Sequence, residues 1–440
     1  MTSRVRDASS FSALPECAPT SRSRRRNTRC EFWAGSLRSP IPSTTPRAMR
    51  IRIRISDRRC CAMRFAVSTG WILGRRAGGV RICGRSSVRS TRSTRRSRHG
   101  EREEPVEERV YPALAGTGHV AAVDLGGTKI LAALVSPEGR IVARVKRSTG
   151  KGGVDVLDRI ADAVQRVARD CGVALNEVGA LGVGVPGPVS LESGVVAVAV
   201  NIPGWKDIGV RDELRRRLAI PVVVDNDVRV AVMAEHAAGA GAGARHMLGL
   251  WPGTGIGGGI IIDGQIVRGA TNTAGEIGHM TLKAGGARCN CGGTGHLESL
   301  GSRTAIVRRI SRAIKSGHRS SLSKVKGGAE NARSADLASA YRSGDRVVVA
   351  AVDRAIDYLA LGIASLANVV NPERVVMGGG LIEAFGATIV DRVNERVKLH
   401  PMYAATAHIL VVPSALADDA GIVGASLIAR RLADQAAAAA

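Results

Sequence analysis

Four side chains that bind zinc in proteins lie within eighteen residues of one another, in the segment GEIGHMTLKAGGARCNCGGTGHLE at 275–298. His279, Cys289, Cys291 and His296 supply the two nitrogen and two sulfur ligands of a tetrahedral zinc site. The intervening glycines permit the tight turns that bring such ligands around one ion. The alternatives are a glycine-rich turn without metal and a strained disulfide between the two cysteines, but the close spacing favours zinc. The segment is therefore predicted to fold around a metal.

Two glutamates flank the predicted zinc ligands. Four ligands already complete a tetrahedral site, so zinc does not need Glu276 or Glu298. Carboxylates accept hydrogen bonds from hydroxyl groups, which makes both glutamates candidates to hold a polyhydroxylated substrate beside the metal. Solvent-exposed loop charge is the alternative, and the ligand spacing around them disfavours it.

Positive charge is concentrated at the N-terminal end of the chain. The formal net charge of the 440 residues is +25, but residues 1–110 contain 26 Arg, no Lys and nine acidic residues, which leaves +8 for the rest. This segment has no sustained apolar period, so we predict a disordered Arg-rich leader over residues 1–115. A nucleic-acid-binding arm and a targeting segment are alternatives. The absence of Lys favours a reading frame extended upstream, with translation starting near Val106 or Val110.

Composition excludes several classes of protein. No run of eighteen apolar residues is present, so the sequence indicates neither a membrane span nor a secretory signal. Five of the eight cysteines lie in the Arg-rich leader, and the other three offer no disulfide framework. Because 45% hydrophobic residues can fill a large core, a globular protein is predicted. The lack of a disulfide framework favours a reducing cytoplasm, and the lack of an apolar span predicts no membrane partner.

Both halves of the remaining chain begin with short apolar runs around a glycine-rich turn. In residues 116–230, VAAVD, ILAALV and IVARVK precede alternating helical and strand patterns, which predicts the order βββαβαβα. In residues 231–440, HMLGLW, GGIII and QIVRG open a second unit of the same kind. We therefore predict an α/β protein with two lobes around a cleft. The last helix is expected to pack back on the N-terminal lobe.

The first glycine-rich hairpin, DLGGTK, has groups that suit phosphate. Asp124 ends a strand and is followed by Gly126, Gly127, Thr128 and Lys129. The backbone N–H groups of the glycines and the hydroxyl of the threonine can donate to phosphate oxygens, and the aspartate can orient hydrated Mg²⁺. On its own, such a turn is also common between ordinary strands.

The second half repeats these groups. Its hairpin GTGIGGG contains Gly253, Thr254 and Gly255, so that two phosphate-binding turns would face one another across the cleft. The strand of NPERVVMGGG ends at Gly379 and Gly380, where an adenine ring could lie against bare backbone. Close helix packing is an equally good explanation for these last glycines.

The chain resembles the ROK family of sugar kinases and repressors in the order and spacing of six motifs, DLGGTK, VPGP, VVDND, GTGIGGG, AGEIGH and CNCGGTGHLE. The resemblance extends from about Val120 to Arg431 and implies the two-lobed actin- and hexokinase-like ATPase fold. It also implies that Asp227 is the catalytic base, and a carboxylate between a buried strand and a helix faces the cleft in α/β folds. Helix capping is the alternative role for this residue. The residues that the resemblance places around the sugar are Gly187, Asn201, Asn226, Glu276, His279 and Glu298.

The resemblance implies an ATP-dependent hexokinase of the glucokinase type, which transfers the γ-phosphate of MgATP to the 6-hydroxyl of a hexose. Kinases for N-acetylmannosamine, N-acetylglucosamine, fructose or allose, and the use of polyphosphate as donor, are open alternatives. A sugar-responsive transcriptional repressor would need a helical DNA-binding module, and the leader has no amphipathic helical period, so nucleic acid is not expected as a partner. The expected cofactors are Mg²⁺ and Zn²⁺ with ATP as donor, and the family implies a homodimer or a higher homo-oligomer.

Two positions depart from the pattern of the family. The family usually has cysteine where this chain has His296, which gives two Cys and two His ligands, and zinc accepts that set. The run NDVR places Arg229 where the family usually has asparagine. The sequence leaves open whether Arg229 faces the sugar, alters specificity or lies on the helix surface.

Overall fold

Two β-sheets that share an order of five strands form the framework of the protein, and the first sheet has one further edge strand. The computed structural model describes residues 109–439 except 151, 153, 200, 401 and 402. Residues 1–108, which hold most of the predicted leader, lie outside the described part of the chain, so the prediction of disorder is not tested there.

The first half of the described chain supplies eight strands and three helices. They are β1 Val110–Ala115, β2 His119–Leu125, β3 Lys129–Val135, β4 Glu138–Ser148, α1 Val154–Asp170, β5 Val178–Val185, β6 Val195–Val198, β7 Lys206–Gly209, α2 Val210–Leu218, β8 Val222–Asn226 and α3 Asp227–Ala238. The second half is richer in helices. Its elements are β9 Met247–Pro252, β10 Ile256–Ile262, β11 Gln265–Ile266, α4 Leu297–Gly301, α5 Arg303–Lys315, α6 Ser334–Arg342, α7 Arg346–Val370, β12 Arg374–Met377, α8 Gly380–Phe385, α9 Ala387–Val397, α10 Tyr403–Thr406, β13 Leu410–Pro413 and α11 Ala420–Ala439.

The two large sheets repeat one topology. In the first, β2, β3 and β4 are antiparallel neighbours, and β5 and β8 continue the sheet in parallel from β2, giving the order β1-β4-β3-β2-β5-β8. In the second, β9, β10 and β11 are antiparallel, and β12 and β13 continue in parallel from β9, giving β11-β10-β9-β12-β13. Strands β6 and β7 form a separate hairpin. The repeated order confirms the duplicated α/β fold that the sequence predicts.

Strand β2 is buried on both faces, which explains its continuous apolar sequence. Ala121 and Val123 belong to the same apolar core as residues of α1, whereas Val120 and Ala122 belong to the core that contains α11. A strand covered by helices on both sides needs apolar residues at every position. Its last polar residue, Asp124, therefore emerges at the end of a rigid and fully packed element.

Helix α11 packs on the first sheet although it ends the chain. A Cβ atom on Gly182 of β5 would collide with the carbonyl oxygen of Ala425, so only glycine permits this close approach. Farther along α11, the buried Arg430 donates to the carbonyl oxygens of Leu114 at 3.0 Å and Thr117 at 2.7 Å. These bonds attach the start of the described chain to its last helix.

The end of the predicted leader is wrong by six residues. Val110–Ala115, assigned to the disordered segment of residues 1–115, forms β1 and pairs with β4. Tyr111 and Leu114 are buried, in the same apolar core as residues of α11. The strand is therefore fixed by contacts with a helix about three hundred residues away along the chain, which no local pattern could reveal.

Helix α7 organises the core of the second half. Its N-terminus is capped by Asp345, whose carboxylate accepts the N–H groups of Val347 at 3.1 Å and Val348 at 3.3 Å. It ends at Val370 and is followed by Asn371, which is left-handed with φ of 48°. It packs against α4, α5, α6 and α9. Among the described residues, no helix combines the length and the apolar composition needed to cross a membrane.

Candidate active site

Asp227 is positioned by the junction between β8 and α3. The strand ends at Asn226 and the helix begins at Asp227. Asn226 caps the helix, since its Oδ1 accepts the N–H of Arg229 at 3.0 Å. Oδ1 of Asp227 accepts the N–H of Val228 at 2.8 Å and an amide N–H of Asn226 at 3.0 Å. Helix capping therefore falls to Asn226 and does not account for Asp227.

Asp227 and Asp124 line the same cavity, which has a volume of about 170 Å³. Burial raises the pKa of Asp124 to about 6, with Lys129 opposing the rise and Asp418 adding to it. The pKa of Asp227 is raised to about 7, first by burial and then by the negative charges of Asp124 and Glu276. Two carboxylates, Asp124 of β2 and Asp227 at the start of α3, thus share one cavity, and burial raises the pKa of both.

Further carboxylates border this cavity that the sequence analysis did not select. Glu383 of α8 and Asp418, in the turn before α11, line it together with Trp251 of β9. Burial raises the pKa of Glu383, and the charge of Asp418 adds to the rise while Lys129 opposes it. The ammonium of Lys129 lies 3.4 Å from Oδ1 of Asp418. A lining rich in carboxylate oxygens suits a hard cation such as Mg²⁺.

The first hairpin is held by its own backbone and by one threonine. The N–H of Gly126 donates to the carbonyl oxygen of Lys129 at 2.8 Å, and the hydroxyl of Thr149 donates to the carbonyl oxygen of Gly126 at 2.7 Å. A Cβ atom on Gly127 would lie 3.0 Å from both Cβ and the carbonyl oxygen of Asn201, so the turn packs against that residue. Thr128 is exposed beside them. The hairpin therefore lies between the Asp124 cavity and the pocket that Asn201 lines.

Seven of the predicted residues come together in a second pocket of about 140 Å³. These are Asn201, Thr254, Gly255, His279, Cys289, Cys291 and Glu298. They come from the loop before β7, the second hairpin, α4 and the segment 279–296 that holds the predicted zinc ligands, called the metal loop below. The structure thus gathers predicted sugar-binding, nucleotide-binding and zinc-binding residues in one place.

Both carboxylate oxygens of Glu298 are engaged by other protein groups. Oε2 accepts the N–H of Ile256 at 3.0 Å, and Oε1 lies 3.2 Å from the thiol sulfur of Cys289. A Cβ atom on Gly255 would lie 2.3 Å from Oε2 of this carboxylate, so a side chain there would require Glu298 to shift. Glu298 therefore connects the hairpin of the second half to the metal loop.

The four predicted zinc ligands converge. The ligand atoms of His279, Cys289, Cys291 and His296 all lie within 4.8 Å of one another. Tetrahedral zinc with sulfur and nitrogen ligands implies separations of roughly 3.3–3.8 Å, so contractions of about 1 Å would close the site. Burial raises the pKa of the Cys289 thiol to about 12, and a thiolate at that position needs a cation beside it. Both geometry and donor chemistry fit zinc.

Gly187, Asn226 and Glu276 line neither of the two cavities. Gly187 has φ of 94°, and a Cβ atom there would collide with the carbonyl oxygen of Val198, so the position requires glycine. Its carbonyl oxygen accepts an amide N–H of Asn226 at 3.2 Å. This bond ties the VPGP turn to Asn226, the strand end that immediately precedes Asp227.

The glycines after β12 occupy different environments. Gly379 lines the cavity of Asp124 and Asp227. A Cβ atom on Gly378 would lie 2.5 Å from the indole of Trp251, so the indole already covers the backbone there. Gly380 faces open space, and Gly253 of the second hairpin does too. Of the backbone predicted to receive adenine, only Gly380 faces open space, because a Cβ atom on Gly379 would contact Pro252 and Trp251.

Arg229 is buried in a network of ion pairs, 3% exposed, and so does not lie on the helix surface. Its guanidinium pairs with Oδ1 of Asp225 at 2.7 Å and donates to the carbonyl oxygen of Asn272 at 2.7 Å. Arg268 pairs with the other carboxylate oxygen of Asp225 at 2.7 Å. The amide of Asn272 in turn donates to the carbonyl oxygen of Val189 at 2.8 Å. This network joins the strand end before Asp227 to loops of both halves.

Comparisons with known proteins agree with this fold. A family model described as the ROK family matches residues 120–432. The glucokinase of Thermotoga maritima is 37% identical over 308 residues, which cover 70% of this chain and 95% of that protein. A ROK family glucokinase from Streptomyces griseus, solved in complex with glucose and AMPPNP, is 31% identical with a TM-score of 0.62, over 71% of this chain and 100% of that one.

The same fold also occurs in a regulator. A ROK family transcriptional regulator, a homolog of the E. coli MLC protein, is 26% identical with a TM-score of 0.63, over 72% of this chain and 78% of that one. The predicted fold class is confirmed by these likenesses. Fold alone does not separate a kinase from a transcriptional regulator, so the difference in function lies in the residues of the cavities.

Proposed function

Because the chain belongs to the ROK family, we propose that it is a sugar kinase that transfers the γ-phosphoryl group of ATP to the 6-hydroxyl of a hexose, with glucose as the first candidate. The observation that carries the proposal is the shared cavity of Asp124 and Asp227, at the ends of two parallel-sheet strands from the first half. Ligands of open α/β sheets bind outside such strand ends. The likeness to glucokinases supports the choice of sugar.

Asp227 is the proposed general base. With a pKa raised to about 7, its carboxylate is a stronger base than an ordinary aspartate and is still largely ionised at pH 8. It accepts the proton of the sugar hydroxyl while the hydroxyl oxygen forms a bond to the γ-phosphorus. The bond from that phosphorus to the oxygen bridging the β- and γ-phosphates breaks, and ADP leaves with its electron pair.

The nucleotide is proposed to lie against the two hairpins. The N–H groups of Gly127 and Gly255 and the hydroxyls of Thr128 and Thr254 are the candidate donors to its phosphates. Asp124 would hold Mg²⁺, which neutralises phosphate charge when bound. Gly379, which lines the cavity of Asp124 and Asp227, and the open backbone of Gly380 are the candidate contacts of the adenine.

The zinc site is proposed as a brace for the sugar pocket. His279 and Glu298 line that pocket, and both are tied to the metal loop, His279 as a ligand and Glu298 through Cys289. Bound zinc supplies fixed coordination geometry and makes the loop rigid. With both of its oxygens engaged, Glu298 presents a preset acceptor to a sugar hydroxyl and does not have to reorganise on binding.

A sugar-responsive repressor is the second candidate, since the likeness to the transcriptional regulator is of equal quality in fold. A repressor needs sugar affinity but no base with a raised pKa. Desolvated carboxylates such as Asp124 and Asp227 lower stability, so their presence favours catalysis.

The test is ADP release by the full-length protein with MgATP and a panel of sugars, which includes glucose, fructose, allose, N-acetylglucosamine and N-acetylmannosamine. We expect glucose to give the highest kcat/KM and glucose 6-phosphate as product. Asp227→Asn is expected to lose activity, whereas Asp212→Asn, an exposed carboxylate of α2, should keep it. If none of the sugars is phosphorylated and the protein binds a specific DNA sequence, the kinase is rejected in favour of the repressor.

A further inference from the structure

A strongly basic cavity of about 460 Å³ lies between α5, α7 and the metal loop. None of the residues that line it has been assigned a role above. Its volume falls in the range of ligand pockets, about 300–1,000 Å³. Five cationic side chains line it, and no carboxylate does. They are Lys283, Arg308, Arg309, Arg312 and Arg354.

The positive charge of this basic cavity is scarcely compensated. Among the described residues, the only carboxylate paired with any of the five cations is Asp357, whose oxygen lies 4.0 Å from Arg354. Arg308 and Arg309 donate instead to backbone carbonyl oxygens, of Ser299 at 2.5 Å and of Leu300. Neutral carbonyls hold the guanidinium groups in place but leave their charge unbalanced. The cavity therefore has a strong positive potential.

An aromatic ring fixes the geometry of two of the cations. The guanidinium carbons of Arg309 and Arg354 lie 5.9 Å and 5.1 Å from the ring centre of Tyr358, which also lines the cavity. The pKa of Arg309 is lowered to about 10, chiefly by burial, with Tyr358 opposing the shift and the neighbouring guanidinium groups adding to it. Such preorganised and mutually repelling arginines are stabilised by an anion that accepts from several of them at once.

We propose that this basic cavity binds a phosphate-bearing anion, and that binding there changes the affinity of the neighbouring pocket for sugar. Arginine forks match the oxygen geometry of phosphate and donate to two oxygens together. The cavity is larger than a single phosphate needs, so the anion carries a further group. A sugar phosphate and a short inorganic polyphosphate share this chemistry.

The route between the two sites is short. Ser299, Ala305 and Arg308 line both the basic cavity and the pocket that contains His279 and Glu298. The hydroxyl of Ser299 also donates to the carbonyl oxygen of Ala287 in the metal loop at 2.9 Å. An anion that draws Arg308 toward the cavity would therefore act on a wall of the sugar pocket. This coupling rests on the proposed function, but anion binding itself does not.

Binding is tested by calorimetric titration of the full-length protein with orthophosphate, glucose 6-phosphate and tripolyphosphate, in chloride buffer of constant ionic strength. Saturating MgAMPPNP and glucose are present, so that the proposed active site is occupied. Arg312→Gln combined with Arg354→Gln is expected to weaken binding by at least about tenfold. Lys315→Gln removes one charge from the same helix, outside the cavity, and should change affinity by less than about twofold. Lys283→Gln, in an exposed loop, tests the cavity independently of the two helices.

Each result decides one point. Saturable binding that only the cavity variants weaken supports the site, and the tightest of the three ligands identifies the source of the phosphate. Absent binding, or equal binding in all variants, overturns it. For the coupling, glucose affinity measured with and without the anion should differ by about fivefold. An unchanged glucose affinity overturns the coupling alone, and absence of any glucose binding rejects the proposed function instead.

Discussion

Replacement of Asp227 by asparagine is expected to stabilise the fold at pH 8 while it removes the proposed base. The carboxyl has a pKa of about 7 in the folded protein, against an ordinary value of 3.8. At about 1.4 kcal/mol per unit, the ionised carboxylate costs the fold up to about 4 kcal/mol. Asparagine keeps an Oδ1 acceptor for Val228 and Asn226 but loses an interaction with the dipole of α3 worth about 0.5 kcal/mol. The net gain is expected to be about 3 kcal/mol.

The pH dependence gives the sharper test of this reasoning. Because folding raises the pKa of Asp227, the free energy that its ionised carboxylate costs the fold is absent below about pH 3.8 and reaches its full value above about pH 7. The advantage of the variant should therefore grow by about 2–3 kcal/mol from pH 5 to pH 8, as measured by urea denaturation. Asp212→Asn, with its carboxylate 67% exposed, is the matched control and should stay within about 0.5 kcal/mol of wild type. An Asp227→Asn protein no more stable than wild type at pH 8 would refute the account of a desolvated carboxylate pair.

Three further predictions follow from the site. The kcat/KM for sugar phosphorylation should fall as pH drops below about 7, because Asp227 becomes protonated. In the residual activity of Asp124→Asn this fall should occur at lower pH, because a negative charge that raises the pKa of Asp227 is gone. A fall at the same pH in both proteins would contradict the shared cavity. Arg229→Asn should lose about 3–5 kcal/mol in urea denaturation, since it breaks a buried pair with Asp225; a loss under about 1 kcal/mol would show that the network is not structural. Cys289→Ser should abolish stoichiometric zinc in the purified protein and weaken glucose binding by about tenfold, whereas unaltered glucose affinity in folded, zinc-free protein would reject the brace.

Local features of the site could be predicted from the sequence. The zinc ligands occupy one short segment, so their spacing alone shows that they can reach a single ion, and their ligand atoms do lie within 4.8 Å. The duplicated sheets follow from two similar runs of short strands around glycine turns. The zinc ligands and the antiparallel strands are neighbours in the sequence as well as in space, whereas the parallel pairings of β2 with β5 and of β9 with β12 join distant segments.

Features that depend on distant segments could not be predicted in this way. Arg229 lies on a helix, but its environment is made by Arg268 and Asn272 from a later loop, so the sequence left its role open. Glu383 and Asp418 reach the Asp227 cavity from the end of the chain, and no motif marks them. Tertiary packing, which sets burial and charge neighbours, decides the roles of such residues.

The central claim is that the carboxylate of Asp227 accepts the proton of the sugar hydroxyl during phosphoryl transfer. The most direct measurement is single-turnover transfer from ATP to glucose at pH 8, with wild type and Asp227→Asn both saturated with the two substrates. The account predicts a rate about 10²–10⁴-fold lower in the variant, with glucose and ATP affinities within about threefold of wild type. A variant rate close to that of wild type would contradict it.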